Sequence, residues 1–549
     1  MNEKIVPNRV IFEGLGKIPR GSILYLLKEI TAEEWESYEI YFSVTQASEA
    51  DTKRILHVHG IDGVKTVVAG SERYKEVLFS AEYLFNEVDF PNWWIKKPGQ
   101  IYTNIWHGTP LKKLGKAKPG IIHRDANAAR NFTMADYLLF PSDYAKEHIL
   151  ADCDVQPLAG GKEVMVGYPR TGQLFDIKMR ETVRRQCAEY PDQQIAVWMP
   201  TWNEYTTKEK ILAFLAEMDE GLMDDQLLFV NLHHKTGITL DYQSYKRIRP
   251  FPTEWDTYEF LCGADVLITD YSSVFFDFAV TGRKIILYCP DQRRYEQERG
   301  LYIPLDKLPF PLPETTAQLL DALVEENAYD DAAFMEAFCR YDSIDNAKNL
   351  LDVVLKGDET KIPVRKINPV RTPVTFLVTD GMEDAGAARL LQELAERGLW
   401  PADCYLSFTE EGMDLHAKEA EVLLRTVPIY ATKGKPLDIR SERKRLFNAI
   451  PIYSLIILDS CDAKRIMSFA RANEPAYLFI SQTLCQKLTD GDEELQKAVQ
   501  MFGKYGDGIY SLYDEAGIEQ IEKLTGKKVC RIASTDAFVA RFLPVDHEI

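Results

Sequence analysis

Residues 268–278 read Ile-Thr-Asp-Tyr-Ser-Ser-Val-Phe-Phe-Asp-Phe, the pattern of an apolar strand that runs directly into a hydroxyl-rich turn and a helix. The strand is expected to end at Thr269, Ser272 and Ser273 occupy positions typical of helix N-caps, and Gly282 is expected to close the helix. Such a β-turn-α unit aims backbone N-H groups, hydroxyls and the positive end of a helix dipole at one point. The turn therefore indicates either an ordinary helix cap or a site for a phosphate-bearing ligand.

The composition is that of a large globular protein. The chain has 549 residues, of which 46% are hydrophobic and 27% are charged, and at ~150 residues per domain it should contain three or four domains. No apolar run approaches the ~18 to 20 residues of a membrane span, and the N-terminal residues lack the apolar core of a signal peptide. We therefore expect a cytoplasmic protein. Nine cysteines without paired spacing predict reduced thiols rather than disulfides or a zinc site.

The charge is unevenly distributed along the chain. A formal net charge of -19 argues against nonspecific nucleic-acid binding, which needs a positive surface. Between residues 107 and 130, however, six basic residues stand against one acid, Asp125; they are Lys112, Lys113, Lys116, Lys118, Arg124 and Arg130. This segment is either a solvated face or a surface that contacts an anionic ligand or an anionic membrane.

Strand-like and helical patterns alternate through the first 355 residues, which predicts parallel sheets with helices on both faces. The candidate strands are 9–12, 40–44, 66–69, 102–106, 137–140, 164–166, 195–199, 227–231, 266–269 and 285–288. Periodicity breaks at 167–175, so two doubly wound sheets with a ligand cleft between them fit better than one.

The domain boundaries follow from these breaks. Residues 356–373 contain three prolines and many charges without a sustained period, which is typical of a linker. Beyond it, strand patterns at 374–379, 454–458 and 477–480 and a helical pattern at 385–397 predict another α/β domain. The expected units are an N-terminal lobe over 1–170, a second lobe over 171–355, the linker over 356–373 and a third domain over 374–549.

His107 stands at the carboxyl end of the predicted strand 102–106 and is followed by Gly108. Sites form at this end of parallel strands. A histidine there suits general-base chemistry near neutral pH, and the glycine would let a substrate approach the backbone. The alternative is a histidine that serves only the local structure.

A second histidine pair, His233 and His234, follows the predicted strand 227–231. Adjacent residues on an extended chain point to opposite sides, so only one of the pair should face the ligand, and we take it to be His233. Metal binding by the pair is the weaker alternative, because no third ligand stands at a recognisable spacing.

Two more loops follow predicted strands on the side of the presumed cleft. Residues 167–170 read Gly-Tyr-Pro-Arg and residues 200–202 read Pro-Thr-Trp. Arg170 could pair with a phosphate through its planar fork or be an ordinary surface arginine. Trp202 could stack on a nucleobase or be a buried aromatic residue.

Taken together, these segments resemble the CDP-glycerol glycerophosphotransferase family of teichoic acid primases and polymerases. The resemblance rests on residues 106–112, 167–170, 200–202, 232–233, 267–277 and 291–302. It implies a GT-B architecture of two Rossmann-like lobes, with CDP bound by the C-terminal lobe and a polymer acceptor on the N-terminal side. The implied reaction moves a polyol phosphate, glycerol phosphate first, from a CDP-alditol to a teichoic-acid-like or capsular acceptor, with release of CMP.

The resemblance also implies roles for particular residues. His107 would be the general base, and His233 would lie near the donor phosphates. The implied donor diphosphate contacts are Ser272, Ser273, Asp270, Arg170 and Thr201, and the implied acceptor or anion contacts are Gly108, Thr109, Lys112 and Lys113. No metal ion or other cofactor is implied. The implied partners are CDP-glycerol or CDP-ribitol, a lipid-linked polyol-phosphate acceptor and the inner face of a bacterial membrane; formation of a homo-oligomer stays open.

The chain also departs from the family pattern. Asn203 and Asn231 stand where the family commonly has arginine, and residues 169–172 read Pro-Arg-Thr-Gly in place of Pro-Arg-Asn-Asp. These departures leave the alcohol of the donor open. They also keep two alternatives in view, a GT-B glycosyltransferase that uses a nucleotide sugar and a non-catalytic scaffold that binds lipid-linked polymer.

The segment 374–549 resembles only the first lobe of a GT-B glycosyltransferase, with a Gly-rich loop over 379–389. Because a lone first lobe cannot hold a nucleotide sugar, no second activity is expected from it.

Overall fold

The computed structural model of the protein describes residues 4–543, apart from 33–34, 36, 92, 119–125, 154, 157–158, 202–206, 233–237, 326–328, 370–373, 380–384, 398–403, 408–451, 460–461, 472–474 and 513–516. The described strands form three separate sheets, each covered by helices. The chain is therefore an α/β protein built from three such units.

The described strands are β1 (Val6–Glu13), β2 (Glu39–Val44), β3 (Lys65–Val68), β4 (Ala81–Asn86), β5 (Ile101–Asn104), β6 (Tyr137–Phe140), β7 (Lys162–Met165), β8 (Gln194–Met199), β9 (Gln226–Val230), β10 (Ile248–Pro250), β11 (Val266–Thr269), β12 (Lys284–Leu287), β13 (Val364–Lys366), β14 (Val374–Thr379), β15 (Cys404–Ser407), β16 (Ile452–Asp459), β17 (Ala476–Ile480), β18 (Gly508–Leu512) and β19 (Val529–Ile532).

The described helices are α1 (Gly21–Ile30), α2 (Glu49–Val58), α3 (Glu72–Ser80), α4 (Ala126–Met134), α5 (Asp143–Asp152), α6 (Ile177–Cys187), α7 (Lys208–Gly221), α8 (Thr257–Gly263), α9 (Val274–Ala279), α10 (Gln292–Arg299), α11 (Thr316–Val324), α12 (Ala332–Phe338), α13 (Asn346–Leu351), α14 (Ala385–Glu396), α15 (Ala463–Phe469), α16 (Gln482–Thr489), α17 (Glu493–Tyr505), α18 (Ile518–Thr525) and α19 (Thr535–Phe542). Within this part of the chain, no helix is long and apolar enough to cross a membrane.

The first two sheets are doubly wound, as predicted. The N-terminal sheet has the order β13-β7-β6-β5-β4-β1-β2-β3, parallel except for the antiparallel β13, and the second has the parallel order β10-β9-β8-β11-β12. The strand order reverses between β1 and β4 in the first sheet and between β8 and β11 in the second. Ligands of open α/β sheets bind in the crevice outside the carboxyl ends of strands at such a switch point.

The chain returns to the N-terminal lobe after completing the second one. Helix α13 and the following helical turn Asp352–Lys356 lie in the N-terminal core, where Leu350, Leu351 and Val353 are fully buried. Strand β13 then pairs with β7. Two expectations are thereby corrected, because residues 346–355 pack outside the second lobe and part of the segment 356–373 is a sheet strand rather than a free linker. The apolar sequence Leu-Leu-Asp-Val-Val-Leu is stable only where it can be buried.

Helix α1 of the N-terminal lobe contacts helix α8 of the second lobe directly. Tyr25 on α1 donates a hydrogen bond of 2.8 Å to Asp256, the residue that caps α8. One turn further along, Lys28 forms a salt bridge of 2.5 Å with Glu259. These contacts fix the spacing of the two sheets on one side of the cleft.

The third sheet has the parallel order β15-β14-β16-β17-β18-β19. Its strands β14, β16 and β17 and its helix α14 confirm the elements predicted at 374–379, 454–458, 477–480 and 385–397. Most of the Gly-rich loop that follows β14 lies outside the described residues.

Candidate functional site

The switch points of the first two sheets carry part of the candidate site, including four residues singled out from the sequence. In the N-terminal lobe, Gly14 follows β1 and Glu87 follows β4. In the second lobe, Thr201 follows β8 and the turn Asp270 to Ser273 follows β11. Since both sets lie at carboxyl ends of parallel strands, the geometry defines a candidate active site between the lobes.

His107 is oriented by the backbone of the neighbouring strand. Its Nδ1 lies 3.1 Å from the carbonyl oxygen of Glu87. A carbonyl oxygen can only accept a hydrogen bond, so Nδ1 carries the proton and the basic lone pair is on Nε2. The ring is therefore in the tautomer that a general base requires.

The residue before His107 is held in an unusual conformation. Trp106 has a φ of 51°, which costs a non-glycine residue about 1–2 kcal/mol. Its backbone N-H donates to Oδ1 of Asn104 at 3.0 Å, and its buried indole packs against Phe132 at 5.2 Å between ring centroids. The strained turn aims His107 out of the sheet, in keeping with a functional position.

Gly108 brings the two predicted motifs together. A Cβ atom at this position would lie 2.5 Å from Oγ of Ser273, and the residue has a φ of +154°. Only glycine accommodates both the backbone angle and the approach of the serine. The turn that carries His107 therefore contacts the serine-containing turn, Asp270 to Ser273, of the second lobe.

The serine turn is built differently from the prediction. Helix α9 begins at Val274, and Oγ of Ser272 accepts from its N-H at 3.4 Å. Ser273 is the N-cap residue by position, but its side chain makes no capping hydrogen bond. The predicted N-cap position of Ser273 is therefore confirmed, but the capping hydrogen bond comes from Ser272, and the hydroxyl of Ser273 faces Gly108.

Asp270 has a structural partner in the second lobe. Its two carboxylate oxygens accept from the backbone N-H of Thr201 at 2.9 and 2.8 Å. Burial raises the pKa of Asp270 to about 6, while Thr201 and Lys112 act in the opposite direction. A carboxylate repels a diphosphate, so this geometry favours a role in fixing the Thr201 turn over the predicted contact with the donor.

Arg170 joins the two lobes from within. Its Nε and an Nη nitrogen each lie 2.9 Å from Oδ2 of Asp277 on α9, and the side chain is buried. Tyr258 donates to the same carboxylate oxygen at 2.5 Å, and Tyr168 packs under the guanidinium at 4.5 Å. The predicted phosphate contact is thus replaced by a buried ion pair, although this guanidinium borders Gly108.

Lys112 and Lys113 face the second lobe rather than an open acceptor surface. Lys112 forms an isolated antiparallel bridge with Leu301, and the N-H of Lys113 donates to the carbonyl of Gly300 at 3.2 Å. The ammonium of Lys112 lies 5.7 Å from the centre of the Tyr295 ring. Burial lowers the pKa of Lys112, and Arg299 nearby lowers it further while Asp270 raises it. The two cations thus lie on the donor side.

Of the remaining predicted residues, some are buried and others are not among the residues that the structure describes. Thr109 is buried, and Arg130 of the basic segment is also buried, donating to the carbonyl of Trp94 at 2.6 Å. Arg130 therefore contributes nothing to a membrane-binding surface. His233 lies outside the described residues, so its role stays a prediction.

Glu87 is a site residue that sequence reasoning missed. Its Oε1 accepts from the N-H of Leu15 at 2.7 Å, while its carbonyl orients His107. Burial raises the pKa of the carboxyl to about 7, opposed by the Leu15 N-H and by Arg170. In the sequence, Glu87 could have been found only as an acid at a strand end, opposite the glycine turn at Gly14. Its two contacts couple the first loop of the chain to His107.

The raised pKa of Glu87 predicts that the free energy of unfolding of the protein depends on pH. Because its folded pKa exceeds the ordinary 4.5, the ionised form is disfavoured in the folded state and stability falls between about pH 4.5 and 7. Glu87→Gln keeps an acceptor for Leu15 and cannot ionise. It should exceed the wild type in unfolding free energy by up to about 3 kcal/mol near pH 8, and by little below about pH 5. Urea titrations across this range check the result, and a difference independent of pH would contradict it.

A cavity of about 490 Å³ lies between the two lobes. The N-terminal lobe lines it with Arg20, Arg54 and His59, and the second lobe with residues at the ends of β9 and β10, including Asn231, Phe251 and Asp256. Its size falls within the range of about 300–1,000 Å³ typical of small-molecule sites. The cavity thus extends the cleft at the carboxyl ends of the second sheet.

Comparison with known proteins agrees with this arrangement. The chain is 28% identical over 386 residues to the teichoic acid poly(glycerol phosphate) polymerase of Bacillus spizizenii, covering 63% of this chain and 95% of that protein. It is 25% identical over 385 residues to the teichoic acid glycerol-phosphate transferase of Staphylococcus aureus, covering 63% and 96% respectively. The solved structure of the wall teichoic acid polymerase TagF, 23% identical, matches the fold with a TM-score of 0.54 over 64% of this chain and 90% of that one.

A family model described as CDP-glycerol:poly(glycerophosphate) glycerophosphotransferase matches residues 1–356. The match runs from the first sheet, across the whole cleft, to the helical turn that returns the chain to the N-terminal lobe. The two-lobed part of this protein therefore has the family's sequence pattern along its full length, and the chain belongs to the CDP-glycerol:poly(glycerophosphate) glycerophosphotransferase family.

Proposed function

We propose that this protein transfers a polyol phosphate, glycerol phosphate first, from a CDP-alditol to a hydroxyl of a teichoic-acid-like polymer and releases CMP. The observation that carries the proposal is the contact between the two motif turns. His107 has its Nδ1 on the Glu87 carbonyl, and the next residue, Gly108, meets Ser273 across the cleft. A base oriented in this way, directly beside a hydroxyl-rich turn, fits transfer between an alcohol and a phosphate.

In the proposed reaction, Nε2 of His107 takes the proton of the acceptor hydroxyl. The acceptor oxygen then bonds to the phosphorus that carries the alditol, and the bond from that phosphorus to the bridging oxygen breaks. CMP leaves with the bridging oxygen and its electron pair. The positive charges of Lys112 and Arg299 lie on the donor side, where they can stabilise the leaving phosphate. We propose that these cations make a metal ion unnecessary.

The same arrangement supports a place for the donor. The hydroxyls of Ser272 and Ser273 would contact the diphosphate, and the cavity at the ends of β9 and β10 would hold the nucleoside. Asp270 would act indirectly by holding Thr201 at the end of β8. His233, as the second histidine, would complete the diphosphate site.

Release of CMP tests the reaction. The purified protein should release CMP from CDP-glycerol in the presence of a polyol-phosphate acceptor, and should do so in EDTA. CDP-ribitol in a parallel assay identifies the preferred alditol. Release of UDP from a UDP-sugar without CMP from either donor would instead favour the glycosyltransferase alternative, and no turnover with intact nucleotide binding would favour the scaffold.

We further propose that the protein works at the cytoplasmic face of the membrane, where a lipid-linked acceptor would be anchored. Support comes from the family, because its relatives include teichoic acid polymerases, transferases and primases. Sedimentation with vesicles containing anionic lipid tests the membrane contact. Binding that does not depend on lipid charge or on salt would contradict an electrostatic attachment.

A further inference from the structure

The cavity between the lobes has walls of opposite character. The wall from the N-terminal lobe carries the guanidinium groups of Arg20 and Arg54, whereas the wall from the second lobe carries Asn231, Glu254 and Asp256. A nucleoside diphosphate is strongly anionic. Among the described residues of this cavity, the second lobe therefore presents an apolar and neutral-to-acidic surface, and the arginines are on the opposite side.

Asp256, an acid in the wall of this cavity, is already engaged. It accepts from the hydroxyl of Tyr25 at 2.8 Å, from the N-H of Gly21 at 3.3 Å and from the N-H of Tyr258 at 3.0 Å. The first two contacts come from α1 across the lobe interface, and the third caps α8. The negative charge of Asp256 is thus used in the contacts between α1 and α8 and does not pair with Arg20 or Arg54.

The two arginines lack strong partners within the described part of the chain. Arg20 precedes α1, is exposed and forms no ion pair with a described residue. Arg54 on α2 has 51% of its side chain exposed, and its nearest carboxylate, Asp51, is 3.9 Å away. An exposed pair at this distance contributes little stability. Neither guanidinium therefore has an evident structural role.

Arg20 lies near the reacting groups, from which the buried side chain of Arg170 separates it. The position of a Cβ on Gly21, next to Arg20, lies 3.6 Å from Cδ of Arg170, and the position of a Cβ on Gly108 lies 3.4 Å from an Nη of the same arginine. Gly108 in turn meets Ser273. Arg20 is thus close in the chain to the packing around the proposed diphosphate site, and Arg54 on α2 lines the same cavity.

We infer that Arg20 and Arg54 bind the phosphates of the donor, so that the N-terminal lobe supplies part of the nucleotide site and the CDP-alditol bridges both lobes. This inference rests on the proposed function and assigns two donor-binding residues to the lobe expected to hold only the acceptor. The salt bridge of Glu259 with Lys28 at 2.5 Å and the contact of Glu259 with Nδ1 of His59 at 3.3 Å keep the arginines opposite β9 and β10 before the donor arrives. The donor then binds to a site whose width is already set.

Calorimetric titration with CDP tests the inference on the full chain. Arg20→Gln and Arg54→Gln should each weaken CDP binding about tenfold, as expected for the loss of one charge-assisted phosphate contact, and cytidine should bind equally well to wild type and variants. Lys53→Gln is the matched control, because it removes the same charge from the neighbouring position of α2, where Lys53 is 62% exposed and pairs with Glu49. Circular dichroism confirms that each variant is folded.

The possible results separate the inference from the function on which it rests. If the wild type binds CDP and both arginine variants bind it with the same affinity, the inference is overturned. The proposed function is unaffected by that result. Equal weakening by Lys53→Gln, or equal weakening for cytidine, also overturns it, because the effect would then be a general charge effect or a contact with the nucleoside. If the wild type itself does not bind CDP, the proposed donor fails, and the inference fails with it.

Discussion

Replacement of His107 by alanine is expected to lower CMP release by about 10²–10⁴-fold, the usual contribution of a general base. The affinity for CDP should stay close to that of the wild type, because the imidazole acts on the acceptor hydroxyl. The contact with the Glu87 carbonyl is made by Nδ1, on the opposite side of the ring from Nε2. Turnover assays with CDP-glycerol and calorimetry with CDP measure the two quantities separately.

His57→Ala is a suitable control, since His57 is exposed on α2 of the same lobe. The double substitution Ser272→Ala and Ser273→Ala should show the converse behaviour, with weakened CDP binding. If His107→Ala retains turnover, the assignment of the base is wrong. If His107→Ala and the double serine variant both lose the circular dichroism spectrum of the folded protein, the turns that carry His107 and the two serines serve only the structure.

Replacement of Arg170 by methionine is expected to destabilise the two-lobed part of the protein by about 3–5 kcal/mol, the cost of leaving one partner of a buried ion pair unpaired. Both nitrogens of Arg170 contact the same Asp277 oxygen at 2.9 Å, and both side chains are buried. Burial raises the pKa of Asp277, and Arg170 is the main group that opposes this. Urea unfolding followed by tryptophan fluorescence measures the loss.

The double substitution Arg170→Met and Asp277→Leu should recover much of that stability, because it removes both charges and fills the space with apolar atoms. Arg249→Met serves as the control, since Arg249 pairs with Glu189 at the surface, where the side chains are 34% and 57% exposed. Its loss should cost no more than about 1 kcal/mol. Equal costs for Arg170→Met and Arg249→Met would show that the buried pair does not hold the lobes together.

Local patterns predicted the strands that carry the site. Val266–Thr269 and Tyr137–Phe140 form strands with the predicted bounds, and the predicted strand at 195–199 differs by one residue. Strand β4 was missed although it lies at the centre of the N-terminal sheet. It begins directly after Ser80, the last residue of α3, without an intervening turn residue. Its sequence, Ala-Glu-Tyr-Leu-Phe-Asn, also lacks a clear period of two.

Because β4 was not predicted, Glu87, the site residue that follows β4, was not predicted either. Glu87 becomes a neighbour of Leu15 only because β4 lies beside β1, in a pairing that joins residues more than 70 positions apart. No spacing along the chain encodes that neighbour. The same holds for Arg170, whose partner Asp277 is 107 residues away.

The sequence was sufficient for those features that depend on short segments. An apolar strand followed by Asp-Tyr-Ser-Ser places hydroxyls at a strand end, and Trp-His-Gly places a histidine at another, because strand ends and turns follow from local chemistry. The tertiary structure alone decided which charges meet. Asp270 binds Thr201, Arg170 binds Asp277 and Lys112 faces the second lobe, since a buried charge takes the partner that the packing of two lobes brings to it. Local sequence specifies where a side chain leaves its strand, and long-range packing determines what it can bind.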